Sequence, residues 1–204
     1  MGTSSSTSPR AARPARAGVD VIDAIYDRRA VRAFEPGGLE EALVRRLIDA
    51  AVQAPSAVNL QPWAFVVVQD PALLARIASR AKEAALASLK PGTPMWAARE
   101  RLADPAYDVL YGAGTLIVIL ASPGDWHVTE DCCLAGENLM LAAHGLGLGT
   151  CVIGFARAAL EEPEFRRELS IPADHQVVLP IIVGRPRGHP EPPQRRPPRI
   201  LAWR

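Results

Sequence analysis

Three arginines stand within five positions at Arg28, Arg29 and Arg32, in the stretch RRAVRAF (residues 28–34). Guanidinium forks stay charged at any physiological pH and grip phosphate oxygens in pairs. A second concentration of polar chemistry is APSAVNLQPW, where Ser56 offers a hydroxyl and Asn59 and Gln61 offer carboxamides between Pro55 and Pro62. Neutral donors and acceptors on a proline-stiffened loop suit a planar heterocycle that has to be oriented rather than attacked. A third is QRRPP, whose Arg195 and Arg196 lie far off in sequence. Two separated arginine clusters plus a carboxamide loop fit one anionic, aromatic cofactor. Taken singly, each segment also has a plain reading, because arginine pairs are usually solvated and such loops are usually only loops.

Other chemistries find no foothold. No G-x-S-x-G elbow occurs, and Ser56 has no histidine near it in sequence. The glycines of GLGLG (residues 145–149) follow a helix-like segment, whereas a dinucleotide fingerprint needs a strand, then glycines, then a helix. A helix exit is the better reading. His127, His144, His175 and His189 are scattered without ligand spacing, so no metal site is expected. Cys132, Cys133 and Cys151 are an odd set with two neighbours adjacent, a poor disulfide framework. Buried, inert thiols in a reducing compartment are the expectation.

The 204 residues carry a net charge of +1 and are 49% hydrophobic. That excludes the electrostatic footprint of nonspecific nucleic-acid binding. The apolar runs AFVVV, TLIVILA and VVLPIIVG are strand-sized, so no membrane span is expected and the chain reads as cytoplasmic. Residues 1–18 lack acids and large apolar side chains beyond Met1, and are expected to be disordered. They contain no apolar signal region; an organelle transit peptide, or myristoylation at Gly2 with Ser6, fits only loosely. Residues 19–204 read as one domain.

The elements that must position these residues follow from periodicity. Helices are predicted over 19–26, over 39–54 with Pro55 as the stop, and from Pro71 at a first turn to about Leu89. WAFVVVQ and TLIVILA are strands. Residues 90–108 are proline-punctuated, hold a short helix near 96–102, and are long enough for a lid. A helix capped by Thr129 runs to the glycines. It is apolar nearly all round, so it must be buried, with a second copy of the chain as the available surface. TCVIG and HQVVLPIIVG are further strands, with one helix over 157–169 between them. The tail 185–204 is too rich in proline for helix or central strand, yet ends on Ile200, Leu201 and Trp203, which need a surface to dock on. Interleaved helices and strands give an α+β class.

Together these segments resemble the FMN-dependent nitroreductase family. DAIYDRRAVRAF is similar to the family's opening R-R-S-x-R-x-F, and APSAVNLQPWAFVVV to its A-P-S-x-x-N-x-Q-P-W and strand. GENLMLAAHGLGLGTCVIG resembles its central helix, glycine exit and flavin-edge strand, and PPQRRPP its C-terminal arm. The resemblance covers about residues 20–203. It implies a nitroreductase-like α+β fold, with a central mixed, mainly antiparallel sheet flanked by helices, in an intertwined homodimer with FMN at the interface. It implies that Arg28 and Arg32 contact the FMN phosphate, ribityl chain or pyrimidine rim, with Arg29 and Ala30 lining it by backbone. Pro55, Ser56, Ala57 and Asn59 would reach the flavin from the partner chain. Cys151, Val152, Ile153 and Gly154 match the strand along the ring, with N–H groups near Ile153 and Gly154 facing N5 and O4. Arg196 matches the arm's phosphate contact, with Arg195 assisting. Ala30 stands where the family usually has serine, Gln194 where a basic residue is common, and Ile153 where some members carry an acid.

The implied reaction is ping-pong transfer of hydride from NADH or NADPH through flavin N5 to a nitroaromatic, quinone or similar acceptor. Positive charge from Arg32 near N1 and O2 would stabilise the reduced flavin, and no side-chain general acid is required. Dehalogenation, azoline oxidation and FMN breakdown belong to the same family. Outside enzymology the alternatives are a non-catalytic flavin-binding protein and a nucleic-acid binder, the last predicting steeply salt-dependent DNA binding.

Overall fold

A computed structural model describes residues 19–124, 127–188 and 190–204. The expected disordered segment 1–18 and His189 lie outside the described residues. Eleven regular elements follow one another among them: α1 (Val21–Asp27), α2 (Glu41–Ala51), β1 (Trp63–Val68), α3 (Pro71–Ser88), α4 (Arg99–Ala103), β2 (Leu116–Ala121), α5 (Val128–Gly145), β3 (Gly149–Val152), α6 (Ala156–Leu160), α7 (Pro163–Glu168) and β4 (Gln176–Gly184).

The four strands form one sheet in the order β1-β2-β4-β3, with every neighbouring pair antiparallel. A single parallel bridge, Ala30 to Thr150, makes the whole mixed. β2 is buried along its full length and shows why the sheet has two cores. Its side chains alternate by the pleat: Leu116, Val118 and Leu120 join one apolar cluster, while Ile117, Ile119 and Ala121 join another. The first cluster takes Leu74 and Ile77 of α3, Ala156 and Leu160 of α6, and Phe165 of α7. The second takes Val44 and Leu47 of α2, and Cys132 and Leu139 of α5. Pro180 is tolerated in central β4 beside a bulge, where Ile119 pairs with Leu179 but Leu120 with Val177.

Local chemistry sets the helix limits. Asp70 accepts the Leu73 N–H at 2.7 Å and Pro71 occupies the first turn, as predicted for α3. At the far end of α5, Leu148 donates back to Ala143 O across Gly147, whose φ of 73° suits glycine. Three expectations need correction. Thr129 lies inside the first turn of α5, which starts at Val128, so it is not the cap. The single helix over 157–169 is two, because Pro163 has no N–H with which to continue α6 and instead opens α7. And α5 is not buried all round within one chain: Cys133 is exposed, as is Leu134 at 46%.

Other apolar surface is uncovered too. Val21, Ile22 and Ile25 of α1 are exposed, and only Ala24 of that helix is buried. Residues 190–204 have no regular structure, and Trp203 is 88% exposed. The docking surface expected for Ile200, Leu201 and Trp203 is therefore not supplied by their own chain.

Candidate functional site

RRAVRAF leaves α1 as an extended ribbon along the outer edge of β3. Val31 N–H donates to Thr150 O at 2.9 Å, and Ala33 O accepts from Arg187 N–H at 2.9 Å. Val31 and Phe34 are buried, whereas Arg32 is exposed and Arg28 half-buried, so both arginines are left for other contacts. The approach is close enough to demand glycine at 149: a Cβ there would sit 2.6 Å from Val31 Cγ2 and 2.7 Å from its Cβ. The last glycine of GLGLG thus lets the arginine ribbon lie on the sheet.

A cleft of about 340 Å³ opens beside this ribbon, lined by Arg28, Arg29, His144, Thr150 and, from the arm, Pro186, Pro190 and Pro192. Arg28 Nε is buried with no hydrogen-bond partner, although Glu137 Oε1 lies 3.3 Å away. The ion pair with Glu137 leaves the hydrogen-bonding capacity of this buried N–H unused, which is costly and leaves room for an anionic ligand. The Arg29 guanidinium turns back onto Tyr26 O and Arg28 O, while the Ala30 backbone bridges to β3.

Arg32 lines a second cavity of about 400 Å³, together with residues 151–155 and with Met95, Arg101, Tyr107 and Tyr111 from the segment after α3. Burial raises the Cys151 thiol pKa, against the pull of Arg32 and Arg28. Burial, then the hydrogen bond to Tyr111, pushes the Tyr107 phenol up to about 12. Of the two main-chain donors expected here, Ile153 N–H is committed to Pro180 O at 2.8 Å, so donation to a ligand falls to Gly154.

The carboxamide loop is built under strain. Val58, Asn59 and Gln61 have φ of 44°, 60° and 50°. Asparagine tolerates that region, but a β-branched valine does so only against a penalty of about 1–2 kcal/mol. Ser56 Oγ accepts the Gln61 N–H at 2.9 Å, and Asn59 Oδ1 accepts from Gln61 Nε2 at 3.2 Å. The anchor comes from α5, where both carboxylate oxygens of Asp131, itself 5% exposed, accept the Ala57 N–H at 3.1 and 3.3 Å. Strain of this kind concentrates at functional sites.

One chain brings together only part of the predicted set. Arg28, Arg29, Ala30 and Arg32 meet the β3 segment Cys151, Val152, Ile153 and Gly154. Pro55, Ser56, Ala57 and Asn59 lead into β1, at the opposite edge of the sheet. Three inter-strand spacings separate those edges, about 14 Å. Arg195 and Arg196 line neither cavity. Sequence reasoning missed Asp131, which there is an ordinary first-turn acid, and Arg101, Tyr107 and Tyr111, whose convergence depends on an irregular segment. Among the described residues no group of three or more His, Cys, Asp or Glu is placed to hold a metal, and no helix is long and apolar enough to cross a membrane.

The profile of the nitroreductase family matches residues 25–185. A Methanothermobacter thermautotrophicus protein with the provisional name NADH dehydrogenase/NAD(P)H nitroreductase is 31% identical over 172 residues, covering 84% of this chain and 78% of that protein. Nitrobenzene nitroreductase from Ectopseudomonas oleovorans is 30% identical over 198 residues, covering 80% and 86%. The crystal structure of a Bacteroides fragilis nitroreductase with bound FMN superposes with a TM-score of 0.77 at 26% identity, over 91% of this chain and 99% of that one.

Proposed function

This chain belongs to the nitroreductase family, and from that premise we propose that it is an FMN-dependent oxidoreductase acting as a homodimer. The observation that carries the reading is the cleft that the arginine ribbon forms against β3, lined by Arg28 and Arg29, where the buried Nε of Arg28 makes no hydrogen bond and has only an ion pair with Glu137. FMN brings an anionic phosphate and a planar ring, which are the two chemistries the three polar segments suit. FMN held there would supply hydride exchange between NADH or NADPH and a nitroaromatic, quinone or similar acceptor, each visiting the one site in turn.

The chain's own residues then have separate tasks. Arg28 and Arg32 hold the anionic and polar rim of the cofactor; Arg29 and Ala30 contribute backbone. Cys151, Val152, Ile153 and Gly154, which line the cavity, would flank the ring, and Gly154 would offer its N–H to it. Pro55, Ser56, Ala57 and Asn59, at the far edge of the sheet, serve the site of a second copy. Arg195 and Arg196 reach the phosphate on the arm. The exposed faces of α1 and α5 and the undocked tail supply the apolar surface a homodimer would cover. Residues 90–108, the expected lid, would cover the acceptor side, where Met95, Arg101 and Tyr107 line the cavity.

The purified protein is expected to be yellow, with flavin absorbance bleached by NADH or NADPH under anaerobic conditions and restored by a nitroaromatic or quinone. A colourless protein that fails to bind added FMN would sink the proposal.

A further inference from the structure

We infer that the acceptor side of this site selects an anionic ring compound, a planar aromatic or quinonoid acceptor bearing a carboxylate or similar group, and that Arg101 is the residue that selects it. This rests on the FMN reading above and names its substrate class. In the 400 Å³ cavity beside β3, whose Arg32 and residues 151–154 are given above to the flavin, Arg101 is the charged lining residue left for an acceptor, and no carboxylate lines the cavity. Among the described residues, Arg101 makes no ion pair and no side-chain hydrogen bond. Its guanidinium instead lies 5.2 Å from the Tyr107 ring centroid. Stacking uses the face of a guanidinium and leaves its in-plane N–H fork for an oxyanion. Arg101 is exposed, and this contact biases its guanidinium toward the cavity it lines, which lowers part of the ordering cost of binding.

The neighbouring tyrosines complete the recognition. Tyr107 and Tyr111 share a hydroxyl–hydroxyl bond of 2.8 Å, with their rings edge to face. Two hydroxyls carry two hydrogens, and one shared bond uses one of them, so the pair keeps one O–H for an outside acceptor. Tyr111 is held at φ 55°, a strained conformation for an aromatic residue, by a turn in which Asp108 accepts the N–H groups of Leu110 and Gly112 at 2.8 Å each. A stacked cation, a fixed phenol donor and an aromatic wall together fit a ring with an anionic substituent. A neutral ring would leave the guanidinium without a counter-charge.

The test uses the FMN-loaded enzyme with 4-nitrobenzoate and its methyl ester, an uncharged analogue of nearly the same shape. The expected kcat/KM ratio of acid to ester in the wild type is about tenfold or more, falling with ionic strength. In Arg101→Gln the ratio is expected to fall about tenfold or more, toward the intrinsic preference for the ester, whose nitro group is the more easily reduced, and Arg101→Lys to retain part of it. A wild-type ratio at or below one, or a ratio that survives Arg101→Gln, overturns the inference. If Arg101→Gln instead raises the KM for NADPH relative to NADH and spares the acid-to-ester ratio, the anion belongs to the nucleotide and the inference also falls. Calorimetric binding of benzoate against methyl benzoate to the purified protein gives a readout without turnover. There a tenfold loss of benzoate affinity in Arg101→Gln supports the inference, and equal binding of the two compounds overturns it. Absence of FMN binding, or of NAD(P)H oxidation with either acceptor, is a failure of the underlying reading and is scored separately.

Discussion

Replacing Asp131 by alanine is the most direct probe of how the chain holds its strained loop. The carboxylate is buried and accepts one N–H, that of Ala57, through both oxygens. A hydrogen bond to a charged acceptor contributes about 1.5–3 kcal/mol. Against it stands the left-handed conformation of Val58, which costs about 1–2 kcal/mol and which the loop can relax once the anchor is gone. The net loss of global stability is therefore about 0–2 kcal/mol, centred below 1. For a chain of this length that lowers Tm by about 8 °C at most. Flavin binding should suffer by the strain energy itself, about 1–2 kcal/mol, because the loop must be pulled back into its strained shape, so the FMN Kd rises about 5–30-fold. The assay is a thermal melt beside a titration of FMN fluorescence. The double variant D131A/V58G tests the strain term, since glycine adopts φ 44° freely and should recover part of the affinity. A D131A protein that binds FMN as tightly as the wild type would refute the reasoning, because loop and anchor would then be irrelevant to the site.

Arg28→Ala removes the buried donor in the cleft and should raise the FMN Kd about tenfold to a hundredfold in the same titration. Gly149→Ala forces a Cβ into Val31 and should cost about 1–3 kcal/mol, read as a lower denaturation midpoint together with weaker FMN binding as the arginine ribbon lifts off β3. Burial pushes the Cys132 thiol from 9.0 up to about 12, so the unfolded chain releases that proton first; stability is fully retained below pH 9.0 and declines between pH 9.0 and about 12. Urea midpoints measured across that window should fall with pH, and less steeply in Cys132→Ala. At pH 8 neither Cys132 nor Cys151 should react with a thiol reagent until the protein is unfolded, since burial raises both.

What the sequence made legible was whatever local rules control. Pro71 announced a helix start, WAFVVV and TLIVILA announced strands, and RRAVRAF stood out by charge alone. Less legible was what depends on a distant partner. Residues 157–169 looked like one helix because Pro163 is equally at home opening a new one, and only the packing of Phe165 under α3 decides between them. Asp131 looked like a routine first-turn acid, since its partner N–H lies 74 residues earlier. Thr129 looked like a cap because the true first residue of α5, Val128, has no polar signature. Cys133 was expected inside with Cys132, but adjacent positions on a helix face different ways, and one chain covers only the first.

The position of β1 at the border of the sheet has a consequence for the chain while it is still being made. WAFVVV contains no charge and no proline, the type of segment that pairs with its own kind when left bare. Its sheet neighbour β2 begins about 50 residues later, a wait of roughly 2–10 s at the usual pace of a ribosome. During that interval the next segment to emerge is α3, which carries Leu74, Ile77 and Ala81 to the same apolar cluster as Val68. The helix that follows the strand in the nascent chain can thus shelter one of its faces before any long-range pairing is available. Its 18 residues act in translation as a built-in escort for a border strand that has no charge of its own.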